Sequence, residues 1–442
     1  MTGAKRISRG VPGTSLLPVP FAIASAILVL LAATLTLDWY ASAGVFALPP
    51  WLSVGNIDDA RVILGAILGA VSTVLALIFS VTLLVFSMMA TQFGPRLIPY
   101  FLRQRTMQAA LGLFLGTFLH SLITLVVTGQ HRASIFVPQI TIITSAALVF
   151  VSFCYLVVYN HRIALAIQTN NVLARIVETL SQAIGELSQH AAHSAQAGKK
   201  ENGVEAIRSQ CIAEGCALRA TTSGYVQTID HERVMRAAGE CGAIVSLAFR
   251  PGEFVLEDEV LAHVMPTAHA KKLAAVIHEA VRIGQHRTLE QDIEFAFAQL
   301  SEIAIRALSP AINDTYTALS SIDWLGDALR MFSVLPALDG AWRSSVGQIR
   351  LLTPPLLFSR VVSSAFDLIL QAGTDNPTVM MRLLQTCARL APQLRDNEQR
   401  RVLRDEIDAV RELASAQTVD SGIDKSAIEK AYRLAHERLS DA

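Results

Sequence analysis

The chain has 442 residues, 52% of them hydrophobic and only 17% charged, against about a quarter charged in ordinary soluble domains, so a wholly water-soluble protein is excluded. Its 37 basic and 37 acidic residues cancel, which leaves no global field to draw it to nucleic acid. Five scattered cysteines, Cys154, Cys211, Cys216, Cys241 and Cys387, make no disulfide framework and suit a reducing compartment.

The long apolar runs precede Asn160 and most of the charge follows it, so residues 1–160 are expected to form a transmembrane domain. A helix crosses the hydrocarbon core with about 20 apolar residues. Segments near 16–37, 62–90, 109–127 and 135–159 reach that length without an Asp, Glu, Lys or Arg, and lipid offers their backbones no partner except through helix formation. Lys5, Arg6 and Arg9 precede the first segment, Arg96, Arg103 and Arg105 follow the second, and His161 and Arg162 follow the fourth. The other two connections hold Asp38, Asp58, Asp59 and Arg61, and Arg132. Basic loops stay inside, which predicts cytoplasmic N- and C-termini. Lys5 to Arg9 with Ala41-Ser42-Ala43 also resembles a signal peptide and its cleavage site. The apolar run exceeds the roughly 7–15 residues of a signal core, however, and a retained anchor is expected.

The second segment carries Ala66, Gly69, Thr73, Ala76, Ser80 and Ser87 on one helical face. GxxxG pairs occur at Gly65/Gly69 and at Gly112/Gly116. Two readings stay open: a polar path lined by Gly69, Thr73, Ser80 and Ser87, with His120 as the titratable group at depth, or close helix packing through small residues. The early Pro138-Gln139 of the fourth segment marks a possible kink site.

The fourth helix is expected to run on as a stalk over residues 161–189. Ile163, Asn170, Val177 and Ile184 take one heptad position; Ala166, Leu173, Leu180 and Leu187 take the other. Mostly β-branched a positions, mostly Leu d positions and one Asn suit a parallel coiled-coil dimer, hence a homo-oligomer. The alternative is an amphipathic helix that covers its own domain.

Between His190 and Val204 the sequence is polar and reads as a loop, followed at 205–267 by a β module. Arg219–Ile229, Ala243–Phe249, Phe254-Val255 and Val260–Val264 are its strands, His231–Gly239 a short helix, and Arg250-Pro251-Gly252-Glu253 a type II turn. The phrases "SGYV", "PGEFV" and "DEVLAHV" resemble a small barrel-sandwich module of the biotinyl-lipoyl type, without the lysine that would carry a cofactor. Residues 268–442 are expected to be α-helical: Lys271–Ile283, Leu289–Leu308, Tyr316–Phe332, Leu356–Ala372, Thr378–Leu394, Glu398–Ala414 and Ala427–Leu439. Ser309-Pro310 ends the second of these and Asn313-Asp314 caps the third.

The segment "HRTLEQDIEFAFAQLSEIAIRALSPAINDTYTA", His286–Ala318, with "TQFGPRLI" at Thr91–Ile98 and the "SGYVQ" and "RPGEFV" phrases, resembles domain-of-unknown-function family 2254, a group of predicted bacterial membrane proteins. The resemblance covers nearly the whole chain. Where the family pattern usually has Pro after the Asn-Asp pair, this chain has Thr315. The resemblance implies a multi-pass bacterial inner-membrane protein of this architecture and carries no activity with it.

The fold class is therefore an integral membrane domain of about four transmembrane helices plus a cytoplasmic, mostly α domain with a small β barrel-sandwich-like module. The candidate functional corner is Glu290, Asp292, Arg306, Ser309, Pro310, Asn313 and Asp314, where polar residues flank a Pro break. Its plain alternative is helix-capping chemistry. No GxxxxGK[ST], HExxH or GxSxG is present, so no catalytic residue and no enzyme is expected. Cys211 and Cys216 lack a second pair for zinc, so no metal or cofactor is expected either. Two function classes remain. One is a channel or transporter-like protein gated by its cytoplasmic domain; the other is a membrane-anchored scaffold or sensor that binds a partner.

Overall fold

The structure is a computed structural model that describes residues 17–45, 49, 56–94, 104–130, 136–196, 203–335, 339–344, 347–416 and 422–441. The basic residues Lys5, Arg6, Arg9, Arg96, Arg103 and Arg132 lie outside the described residues, as do residues 197–202 of the expected loop and the end of the "TQFGPRLI" phrase; the start of that loop is helical instead, through Gln196. The chain divides into two compact units, residues 1–171 and 172–442.

In the first unit four helices are long and apolar enough to cross a membrane, among the described residues. They are α1 Pro18–Ser42, α2 Ile57–Gln92, α3 Arg105–Gln130 and α4 Gln139–Ala166. All four expected segments appear, each lengthened. Helix α2 starts on a capping box: Asn56 Oδ1 accepts the N–H groups of Asp58 and Asp59, each at 2.9 Å, and Asp59 accepts the Asn56 N–H. Helix α1 runs past the expected end at residue 37, which brings Asp38 into the unit. Its carboxylate accepts the N–H groups of Ile140 and Thr141 at 2.8 and 2.9 Å and the Thr141 hydroxyl at 2.7 Å. A residue expected in a loop thus caps α4, satisfying donors that Pro138 cannot.

The two GxxxG pairs have different fates. Gly112 and Gly116 of α3 lie against α1: a Cβ at Gly112 would stand 2.8 Å from Pro20 Cα, and one at Gly116 2.5 Å from Ile27 Cδ1. Backbones approach here because neither residue has a side chain. Gly65 and Gly69 of α2 meet nothing within 4 Å.

The expected continuous stalk is interrupted. Helix α4 ends at Ala166 and α5, Thr169–Gln196, starts after a break at Ile167-Gln168. The polar run Gln168-Thr169-Asn170-Asn171 explains it, because Asn171 Nδ2 donates to the Leu165 carbonyl at 2.8 Å and to Gln168 Oε1, which competes with the helical ladder. Ile163 is thereby separated from the rest of the heptad series, and Asn170 is exposed. Val172, Leu173, Ile176, Val177, Leu180, Ala183 and Ile184 are buried within one chain, and Leu187 is half-buried. That stripe is wider than a two-position seam and fits a helix packed on a globular core.

The second unit begins within α5 and continues with α6 Val204–Glu214. Strands β1 Cys216–Arg219, β2 Gly224–Ile229, β3 Ile244–Leu247, β4 Phe254–Val255, β5 Val260–Met265 and β6 Val281–Gly284 follow, with α7 His231–Cys241 after β2 and α8 Ala270–Ala280 after β5. Next come α9 Ile293–Leu308, α10 Thr315–Ser333, β7 Ala341–Arg343, β8 Ile349–Leu352, α11 Phe358–Ala372, α12 Pro377–Leu390, α13 Asn397–Ala416 and α14 Gly422–Asp441. The strands form a five-stranded sheet, β1-β5-β3-β8-β7, and a three-stranded sheet, β4-β2-β6. No closed barrel forms among them. Three strands come from beyond residue 267, where pattern predicts only helix, and β8 pairs parallel with β3 from about a hundred residues earlier. Such short strands are specified by their distant partners rather than by local alternation. Gly252 has φ +93° in the expected Pro-Gly turn, a conformation that favours Gly.

Candidate functional site

In the membrane-type unit the polar side chains gather on one face of α3 and one face of α4. Thr117, His120, Ser121, Thr124 and Thr128 recur at helical spacing on α3 and are all buried; Thr141, Ser145, Ser152 and Tyr159 do the same on α4. Thr117 and Ser152 hydroxyls are 3.1 Å apart, and His120 Nδ1 is 3.0 Å from Ser145 Oγ. Asp38 closes one end through Thr141. At the other, the Tyr159 and Thr82 hydroxyls are 2.7 Å apart. At about 1.5 Å per residue, Thr141 to Tyr159 spans about 27 Å, close to the roughly 30 Å hydrocarbon core of a bilayer.

The expected polar stripe does not share this seam. Gly69, Thr73, Ser80 and Ser87 of α2 are exposed, and the Thr73 hydroxyl bonds back to the Gly69 carbonyl at 2.8 Å. Of the five residues grouped in the sequence, His120 alone is buried in the seam. The other seam residues carry a sequence signal of their own: Thr, His, Ser, Thr and Thr at 117, 120, 121, 124 and 128 fall at helical spacing.

The predicted corner of the second unit falls into two places. Asp292 caps the start of α9, accepting the Phe295 N–H at 3.0 Å. Arg306, Ser309, Pro310, Asn313 and Asp314 lie at its far end, about 24 Å along a helix of this length. There Arg306 pairs with Glu302, the Ser309 hydroxyl bonds the Arg306 carbonyl, Asn313 adopts φ +49°, and Asp314 accepts the Thr317 N–H and hydroxyl. This is the capping alternative. Glu290 is exposed, two residues before Asp292.

At the Asp292 end the family-like phrases come together. Arg287 holds the Asp292 carboxylate through two bonds of 2.7 and 2.9 Å, and its guanidinium lies 4.9 Å over the Phe295 ring. Burial pushes the Asp292 carboxyl above the usual carboxylate range, against the pull of Arg287. A Cβ at Gly252 would collide with that carboxylate, so the turn needs Gly for space as well as conformation. Nearby, the buried Arg250 donates to the Pro355 carbonyl, Glu253 and Glu294 at 2.9, 3.3 and 3.1 Å, and Arg360 reaches Glu294 at 3.1 Å. Two arginines face two glutamates, so the cluster is neutral and ties the turn to the starts of α9 and α11. Cys211 is buried under the sheet, its Sγ 3.6 Å from the His263 carbonyl, and burial raises its thiol pKa. Among the described residues no three His, Cys, Asp or Glu side chains are placed to share a metal ion.

A family described as "Predicted membrane protein (DUF2254)" matches residues 13–389. The uncharacterized protein Mb1321c of Mycobacterium bovis is 28% identical over 372 residues, covering 83% of this chain and 70% of that protein. The uncharacterized protein Rv1290c of Mycobacterium tuberculosis matches to the same extent. No solved structure matches the chain.

Proposed function

This chain belongs to the DUF2254 family of predicted membrane proteins, and we propose that it is a channel or transporter-like protein of a bacterial inner membrane. Its polar route is the seam between α3 and α4, and the second unit, on the cytoplasmic side with both termini, controls it. The seam carries the proposal: buried hydroxyls and an imidazole run for about the thickness of a bilayer, where polar groups are costly and tend to mark pathways. Copies associate through the exposed Gly69–Ser87 face of α2, since small residues allow close approach between helices.

The test is flux through full-length protein reconstituted in liposomes, with separate arms for protons, potassium, chloride and osmotic water entry. Flux of a cation or of water, abolished by Ser145→Leu, supports the reading. No flux in any arm sinks it. Disulfide formation by Thr73→Cys in a Cys154→Ser background tests the association; its absence in membranes removes that part.

A membrane-anchored scaffold or sensor is the second reading. The corner between α9 and α10 favours it, because Ile312 and Tyr316 stand 44% and 84% exposed there, two large side chains close together that a partner could cover. Absence of flux, with loss of a co-purifying partner on Tyr316→Ser, would favour this reading.

A further inference from the structure

We infer that His120 is locked in one tautomer and offers a bare ring nitrogen, Nε2, as the binding point for a hydrogen-bond donor inside the seam, with water as the first occupant. The inference rests on the seam being the polar route and adds what the route binds.

The bond count gives the tautomer. Ser145 Oγ lies 3.1 Å from the Thr141 carbonyl and 3.0 Å from His120 Nδ1. A hydroxyl has one proton and the carbonyl can only accept, so the two contacts are hydrogen bonds at the same time only if the Ser145 proton goes to Thr141. Toward His120 the serine must then accept, and Nδ1 must be the protonated ring nitrogen. In a neutral imidazole Nε2 is then a lone pair. That nitrogen is buried and finds no hydrogen-bond partner among the described residues, and neither does the adjacent Ser121 hydroxyl. Buried polar groups are almost always partnered, and a small donor that reaches the seam meets this need.

The same geometry argues against a proton wire. A proton arriving at Nε2 would release the one on Nδ1 to Ser145, whose own proton points at a backbone carbonyl that cannot pass it on. The ring is therefore a fixed acceptor that holds water, or a small solute presenting N–H or O–H, rather than a relay.

The experiment is solid-state NMR of protein labelled with 15N-histidine in hydrated bilayers, the His120 signals being identified by their loss in His120→Gln. The expected result is a protonated Nδ1, an unprotonated Nε2 and magnetisation transfer from mobile water to Nε2. Ser145→Ala should free the ring and yield a mixture of both tautomers. A proton on Nε2 in the wild-type protein, or no transfer from water, overturns the inference. A small amine added at saturating concentration separates the two occupants: displacement of the water contact assigns the site to solutes, and its persistence assigns it to water. Water contact without flux would refute transport while leaving the site intact; flux without water contact would do the reverse.

Discussion

Helix α13 turns Gln399, Leu403, Ile407 and Val410 into the core of the second unit, and Glu406 goes in with them. Its Oε1 has no hydrogen-bond partner among the described residues. Burial, with a smaller push from Asp367, raises its carboxyl from 4.5 to about 7, and the fully buried Cys387 thiol is raised in the same place, by burial first and Glu406 second. Because the folded state keeps this proton to higher pH than the unfolded state does, the folded state binds more protons between 4.5 and 7. Stability therefore falls as pH rises through that window and stays reduced above it. At about 1.4 kcal/mol per tenfold change in affinity, the loss reaches about 3 kcal/mol. Glu406→Gln removes the charge while keeping the shape. The variant should match the wild type near pH 4.5 and exceed it by about 3 kcal/mol at pH 8, and Asp367→Asn should recover a smaller part. Urea unfolding of the full-length protein in detergent, followed by tryptophan fluorescence in a background that keeps Trp324 and replaces Trp39, Trp51 and Trp342 by Phe, reads this across pH 4.5–8.5. Parallel wild-type and variant profiles, or a wild type that gains stability toward pH 8, would refute the reasoning.

Gly116→Leu should prevent α1 from seating on α3 and abolish a folded detergent monomer on size exclusion, whereas Gly69→Leu, with open space around it, should leave the monomer fold intact. Asp38→Ala strips the cap from α4 and should cost about 1–2 kcal/mol, seen as a lower melting temperature in detergent with no change in helix content by circular dichroism. Arg287→Ala leaves a buried carboxyl without its cation and should cost about 3 kcal/mol; adding Asp292→Asn should restore part of it in the same urea assay.

How much of this was legible in the sequence depends on the range of the physics involved. A membrane-type helix is a matter of length and composition, and all four were readable. Caps are also local: Asp314 and the Pro251-Gly252 turn do what their residue types predict. The facing of a helix is not local. Helix α2 has small residues on one face and larger ones on another, and nothing in its own pattern says which face the other helices take; the structure puts Val71, Ile78 and Met89 inward and the small face outward. Asp38 was misplaced because its partners, Ile140 and Thr141, lie about a hundred residues away. The corner failed for the opposite reason. Residues joined by one helix were read as one site, although the same helix keeps Asp292 and Arg306 apart.

The chemistry of the seam follows from where its hydroxyl protons point. Thr117, Thr124, Thr128 and Ser145 each donate to the carbonyl four residues back on their own helix, and Thr141 donates to Asp38. With those protons committed to backbone and carboxylate, what these groups still offer is lone pairs, to which His120 Nε2 adds another and Asp38 a carboxylate. In a medium of low dielectric such a lining interacts favourably with positive charge and with hydrogen-bond donors, and unfavourably with anions. An anion route would need several donors aimed inward, and beyond the unpartnered Ser121 hydroxyl the back-bonded hydroxyls would have to give up their carbonyls to provide them, each at the cost of an intact bond in a place without water to replace it. As the route proposed above, the seam is thus biased toward water and cations by bonds internal to α3 and α4, before any question of pore width arises.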